Sequence, residues 1–108
     1  MQGAHDRKEL IEQALNAVRN GDFDQVKRQL ELLGFIFKQG KNPDHWIYWH
    51  PRLREDPLFR YPCNLYRPHG SRREKGRISH HDQSKARQRI EALRAQLASS
   101  TEETGGDE

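Results

Sequence analysis

Apolar residues recur at helical spacing along the first third of the chain. Over residues 6–20 they fall every three or four positions, and an Asn-Gly pair at the end supplies a stop signal. A second stripe occupies residues 23–33, where Asp22 or Asp24 can act as the N-cap and Gly34 suits a left-handed C-cap. The pattern therefore predicts a helical hairpin.

Segments with β-strand preference follow this hairpin directly. Residues 35–37 are too short and too β-prone to extend the helix, and turn-forming residues at 40–44 separate them from the strand-like segment 45–50. These two strands should pair as a hairpin. After an extended loop, residues 64–66 predict a third strand. Alternation in the second strand places Trp46, Tyr48 and His50 on one face and His45, Ile47 and Trp49 on the other.

A third helix is predicted in the C-terminal part of the chain. Ser79 to Asp82 has the spacing of a capping box, and the apolar stripe of the helix that follows runs from residue 86 to residue 97. The tail 99–108 has no large apolar residue and is expected to be disordered. We therefore predict an α+β fold with a helical extension over 1–22, a main domain over 23–98 and an acidic tail.

Positive charge is concentrated in one block. Residues 67–89 carry eight basic and two acidic side chains, whereas the tail carries four acidic and no basic ones, in a chain of net charge +3. An unbalanced block of this kind favours phosphate contacts along a nucleic acid over a surface that serves only solubility. The residues expected to make these nucleic-acid contacts are Arg67, Arg72, Arg73, Lys75, Arg77 and Lys85.

Several classes of protein and of site are disfavoured. The single cysteine, Cys63, cannot form an internal disulfide, which fits a cytoplasmic protein. The sequence contains no signal-peptide core and no apolar run long enough for a membrane span, so no membrane contact is expected. His80 and His81, even with His69, lack further ligands at standard spacing, so neither a metal nor another cofactor is expected.

Four short stretches resemble the HicA family of mRNA interferase toxins. "VKRQLELLGFIFK" at 26–38 is similar to the family's opening helix and first strand, and "GKNPDHWIYWHP" at 40–51 to its turn and second strand. "LYRPHG" at 65–70 resembles the third strand, and residues 86–93 resemble the closing helix. The likeness covers residues 23–97. It implies a fold similar to a double-stranded-RNA-binding domain, in the order helix-strand-strand-strand-helix, to which this chain adds an N-terminal helix.

The resemblance also implies an activity, namely endoribonuclease cleavage of RNA without a metal. The family's histidine begins the second strand, which makes His45 the catalytic residue here. An imidazole that titrates near neutral pH can take a proton from a ribose hydroxyl, so that the hydroxyl attacks the adjacent phosphate. Lys38 and Lys41 are expected to offset the charge of the phosphorane, and His50 or His69 to protonate the leaving group.

A HicA-like toxin implies a HicB-type antitoxin that covers the active face. Two features depart from the family pattern: Pro43-Asp44 stands where the family has Gly-Ser or Gly-Thr before its histidine, and the stretch 51–60 is longer. Two alternatives therefore stay open. One is a non-catalytic RNA-binding or protein-assembly module of the same fold, and the other is an adaptor that binds protein through its aromatic hairpin with Leu58 and Phe59.

Two further expectations concern the apolar side chains. Trp46, Tyr48 and Trp49 could stack on unpaired bases, although such residues are more often core, and we expect Tyr48 or Trp46 to be the exposed one. The stripe of the first helix is too apolar to face water. It must dock beside the second helix or across the subunit boundary of a homodimer.

Overall fold

The computed structural model describes the backbone of residues 3–68 and 77–106 and the side chains of residues 7–68 and 77–98. The described residues form three α-helices and a three-stranded antiparallel sheet, which confirms the predicted α+β class. In chain order the elements are α1 (Gly3–Asn20), α2 (Phe23–Leu32), β1 (Ile36–Gln39), β2 (His45–Trp49), β3 (Cys63–Tyr66) and α3 (His80–Gly106).

Helix α2 begins and ends with the residues that its sequence predicts. The Asp22 carboxylate accepts a hydrogen bond from the Gln25 amide at 3.2 Å, which satisfies one free N–H of the first turn. Gly34 adopts a φ of 103°, where a side chain would be strained. The Phe35 amide then reaches back to the Leu30 carbonyl at 3.0 Å, the long hydrogen bond of a Schellman motif. This motif turns the chain directly from α2 into β1.

The sheet has the strand order β1-β2-β3, and its register sorts the side chains onto two faces. Lys38 pairs with Ile47 and Ile47 with Asn64, and residues paired in this way project from the same face. We call this side the open face, because none of its residues belongs to the core cluster among the described residues. Its members are Ile36, Lys38, His45, Ile47, Trp49, Asn64 and Tyr66.

The opposite face of the sheet packs against the helices. Tyr48 and Leu65 are fully buried there, together with Val26 and Leu30 of α2. Helix α1 packs against both α2 and α3 and contributes four buried side chains, and α3 contributes three more. They are Ile11, Ala14, Ala17 and Val18 of α1, and Ala86, Ile90 and Leu93 of α3. The stripe of the first helix therefore docks within the single chain, beside α2.

The start of α3 joins the helix to the sheet. Ser79 Oγ accepts a hydrogen bond from the Asp82 amide at 3.1 Å, as the capping-box spacing predicts. The Asp82 carboxylate does not reach back to the cap. It accepts the Tyr66 amide of β3 at 3.1 Å, and burial raises the pKa of this carboxyl group. One buried aspartate thus fixes the helix against the last strand.

Two segments differ in secondary structure from the prediction made from the sequence. The loop after β2 contains a 3₁₀ turn, Pro51–Leu53, and the buried side chain of Leu53 anchors this turn to the core. Helix α3 continues to Gly106, so its backbone is helical over residues 99–106, where disorder is expected. Extending an existing helix fixes one residue per hydrogen bond and is far easier than starting a new one.

Candidate functional site

His45 begins β2 and lies on the open face, with only 8% of its surface exposed. Its partner in β3 is Tyr66, and the two rings stack with centroids 4.6 Å apart and planes 10° from parallel. Tyr66 itself is 48% exposed. The stack therefore fixes the orientation of the imidazole and shields one side of it with a ring that still reaches water.

Both ring nitrogens of His45 have hydrogen-bond partners. Nδ1 accepts the Lys41 amide at 3.3 Å, so in the neutral ring the proton lies on Nε2, which donates to Asn64 Oδ1 at 2.7 Å. The bond to Asn64 is short and joins two strands, whereas the bond from Lys41 is long and comes from the turn. The Lys41 amide thus fixes the tautomer and Asn64 accepts the Nε2 proton, so the lone pair that a general base requires lies on Nδ1, where it accepts the Lys41 amide.

The turn at 40–44 closes over the histidine. The Gly40 amide donates to the His45 carbonyl at 2.7 Å, and the His45 amide donates to the Asn42 carbonyl at 3.0 Å. A Cβ atom at residue 40 would overlap the His45 ring, so this position needs glycine because of the close approach. Gly40, five residues before the histidine in sequence, therefore contacts it in space.

The two lysines proposed as supporting groups lie on this side of the molecule. Lys38 is exposed on the open face, diagonally across from His45, a placement with a separation of about 7–8 Å in antiparallel sheets. Lys41 is exposed in the turn, and its backbone amide is the group that contacts the imidazole. None of the seven open-face residues is acidic.

His50 occupies a separate, buried position. It follows the end of β2, five residues from His45, which is about 16 Å along a strand. Its Nδ1 accepts the Arg52 amide at 3.0 Å, and its Nε2 donates to the Leu33 carbonyl at 2.9 Å. Burial lowers the pKa of His50. These contacts join the end of α2 to the loop after β2, and they do not place His50 beside His45.

The basic block is only partly free to contact a ligand. The Arg67 guanidinium bonds to Asp24 at 3.1 Å, lies 3.7 Å from Asp44 and covers the Phe23 ring. The guanidinium of Arg89 lies over Phe59 and donates to the Lys85 carbonyl. Arg77 and Arg87 are exposed, and Lys85 is half-buried. The candidates His69, Arg72, Arg73 and Lys75 lie outside the described residues.

The aromatic residues of β2 correct one expectation. Tyr48 is fully buried, and Trp46 lies on the covered face beneath the Lys27 ammonium, 4.6 Å from the ring centroid. Expecting Tyr48 as the exposed aromatic was wrong, because register and helix packing decide which face is covered; Trp46 is half-buried and packs against the core. Trp49 is the β2 aromatic on the open face.

Sequence reasoning also missed Asn64 and Tyr66 as neighbours of His45. The sequence predicts that both residues lie in the third strand, but it assigns neither of them a part in the site. Their spacing of two residues puts them on one face of β3, and this was a usable signal. Which residue of β2 they face depends on the register, which the sequence does not state.

A cleft of about 470 Å³ lies away from this cluster, between α1 and α3. It is lined by Val18, Gln83 and Arg87 among others, and by none of the open-face residues. Gln83 Nε2 donates to the Val18 carbonyl at 2.7 Å and so satisfies the end of α1. This cleft is therefore separate from the histidine.

The described residues lack two features, one that would indicate a metal site and one that would indicate a membrane span. No group of three or more histidine, cysteine, aspartate or glutamate side chains in this part of the chain could hold a metal ion. No described helix is both long and apolar enough to cross a bilayer.

Comparison of the chain with protein-family models, with curated proteins and with solved structures found no match. The resemblance to HicA-like toxins thus depends on the sequence motifs quoted above.

Proposed function

We propose that the protein is a HicA-like endoribonuclease that binds RNA and cleaves it with His45. The observation that carries the proposal is the placement of this histidine. It lies at the strand position that the resemblance implies, and Asn64 orients it on a sheet face that the described helices leave uncovered. A histidine oriented by an amide oxygen, with the lone pair on its other nitrogen, is the arrangement of a general base.

The reaction is a transesterification within one RNA strand. Nδ1 of His45 takes the proton of a ribose 2′-hydroxyl, the 2′-oxygen bonds to the adjacent phosphorus, and the bond from phosphorus to the 5′-oxygen breaks. The 5′-oxygen takes a proton from water, and the products are a 2′,3′-cyclic phosphate and a 5′-hydroxyl end. Lys38, on the same face, offsets the charge that develops on the phosphorane.

Base function requires the turn to release Nδ1. The Lys41 amide holds this atom through a bond of 3.3 Å, which is long for N–H donation and easily exchanged. Catalytic hydrogen bonds in a free enzyme are often poorly aligned and reform when the substrate binds. In this proposal RNA binding displaces the 40–44 turn, and the 2′-hydroxyl replaces the amide at Nδ1.

The fold type, the cellular location and the partners that we propose depend on the resemblance to HicA-like toxins. The order α2-β1-β2-β3-α3 is the one expected of a fold similar to a double-stranded-RNA-binding domain. The protein would act in the cytoplasm, with RNA as substrate and a HicB-type antitoxin as the partner that covers the open face. Exposed Arg77 and half-buried Lys85 remain candidates for phosphate contacts.

A second candidate function has an observation in its favour. Both ring nitrogens of His45 are occupied and the side chain is almost fully buried, as in a histidine that only stabilises a hairpin. On this basis the protein would be a non-catalytic RNA-binding module, and the His45 cluster would maintain the shape of the open face.

One experiment separates the two functions. Purified protein is incubated with a labelled, unstructured RNA in EDTA, and products are resolved on a denaturing gel while binding is measured by gel shift. We expect cleavage to 2′,3′-cyclic phosphate ends by the wild type and its loss in a folded His45→Ala variant. His81→Ala, at an exposed histidine, is the matched control and should cleave normally. Binding without cleavage by the wild type would establish the non-catalytic module instead.

A further inference from the structure

The open face presents an unusual set of side chains to water. Ile36 is 43% and Tyr66 48% exposed, and Ile47 and Trp49 are half-buried. Contiguous apolar and aromatic surface of this kind marks a binding site more often than free surface. No described helix packs on it, so its occupant must be sought in its chemistry.

The polar side chains on this surface are cationic or neutral, and the one carboxylate of the adjoining 40–44 turn, Asp44, lies 3.7 Å from the Arg67 guanidinium. Lys38 lies in the central row, between the row of Trp49 and the row of Tyr66, and Lys41 follows in the adjoining turn. Asn64 is neutral, and no open-face residue is acidic. Two aromatic rings with a cation between them match a ligand that alternates flat apolar groups with negative charges.

Unpaired RNA is the ligand that fits this pattern. Its bases stack on aromatic side chains without regard to sequence, and its phosphates attract lysines in the same groove. A duplex hides the faces of its bases and presents mainly phosphates and hydroxyls, which cannot use Trp49 or Tyr66. The face is therefore complementary to a single strand and not to an A-form helix.

We propose that the open face binds single-stranded RNA, with bases stacked on Trp49 and on Tyr66 and the connecting backbone beside Lys38. The inference rests on the proposed function and names its substrate class. Trp49 and His45 are four residues apart on β2, about 13 Å, so the stacked bases bracket a linkage near the histidine. Unpaired nucleotides can also rotate the 2′-hydroxyl into line with the leaving oxygen, which the stacked geometry of a duplex prevents.

The test uses a fluorescein-labelled 12-nucleotide RNA with 2′-O-methyl groups, which lacks the attacking hydroxyl and so stays intact. Its affinity is measured by anisotropy as a single strand and after annealing to its complement. We expect the single strand to bind at least tenfold more tightly. Trp49→Ala should weaken binding of the single strand about tenfold or more, while Trp49→Phe should retain most of the affinity.

Tyr61 provides the matched control, because it is 62% exposed but lies in the loop before β3, off the open face. Tyr61→Ala should leave the affinity unchanged, whereas Tyr66→Ala should lower it. Equal binding of the duplex, or a Trp49→Ala variant with unchanged affinity, would overturn the inference while leaving RNA binding established. Absence of any RNA binding would instead reject the proposed function. A dimer that Trp49→Ala dissociates, seen by sedimentation together with unchanged RNA affinity, would assign the face to a second copy.

Discussion

His50 offers the sharpest test of how this fold is held together. Its imidazole joins the Leu33 carbonyl, at the end of α2, to the Arg52 amide of the 3₁₀ turn, and its ring meets the Phe35 ring edge-on at 4.8 Å. The informative change is His50→Asn. Asparagine is a good cap and can still accept the Arg52 amide, but it is too short to reach Leu33 or to replace the ring.

The expected loss can be worked from these contacts. Removing the hydrogen bond to Leu33 costs about 1 kcal/mol, and losing the aromatic edge contact costs about 0.5–1.5 kcal/mol. The space left beside Gly34 and Phe35 adds to this, for a total of about 2–3 kcal/mol. In a chain of this size such a loss lowers the Tm by about 10 °C.

The pH dependence gives an independent check. Burial lowers the pKa of His50 below its usual value of 6.5, so the folded state binds fewer protons than the unfolded state when the pH falls past that value. The contribution of His50 to the free energy of unfolding is therefore fully present above about pH 6.5 and declines as the pH falls toward the folded-state pKa. The difference between wild type and His50→Asn should shrink over that interval.

Urea unfolding followed by tryptophan fluorescence is the suitable assay, because Trp46 and Trp49 both lie in β2. Curves are recorded at pH 7.5 and at pH 5.5 for the wild type, for His50→Asn and for His81→Asn, which changes an exposed histidine in the same way. A loss below about 0.5 kcal/mol for His50→Asn at pH 7.5, or a difference that does not vary with pH, would refute the structural role argued for His50.

Two further predictions concern the basic block and α1. If the block contacts phosphates, replacing Arg77 and Lys85 with Gln should flatten the slope of log affinity for RNA against log salt by up to about 1.4. Arg28→Gln on α2 is the control and should leave the slope unchanged. An unchanged slope in the Arg77 and Lys85 variant would mean that these two side chains make no phosphate contact. Ile11→Ala should lower the free energy of unfolding by about 2–5 kcal/mol in urea titrations, because Ile11 is buried between helices. Leu32→Ala, at an exposed position, should change it little. A loss for Ile11→Ala as small as that for Leu32→Ala would show that α1 is detachable.

Much of the secondary structure could be predicted from the sequence, for local reasons. The Asp22 cap, the left-handed Gly34 and the Ser79 cap act within a few residues of their own position, so their residue types predict helix ends directly. The alternation of side chains along a strand likewise predicted that Trp46 and Tyr48 lie on one face of the sheet and Trp49 on the other. These features depend on backbone geometry and not on what packs against it.

The candidate site depended on contacts between residues far apart in the chain. Asn64 is 19 residues from His45, and the partner of His50 is 17 residues away, so neither could be assigned before the strand register and the helix packing were known. The same holds for Arg67, whose charge is offset by an aspartate 43 residues earlier.

The sequence by itself determined where helices and strands begin, because periodicity and turn residues are local properties of the chain. Tertiary structure decided which sheet face the helices cover. Packing Tyr48 and Trp46 against the core left Trp49, Tyr66 and His45 on the other side, since side chains along a strand alternate and only one face can pack on the same core.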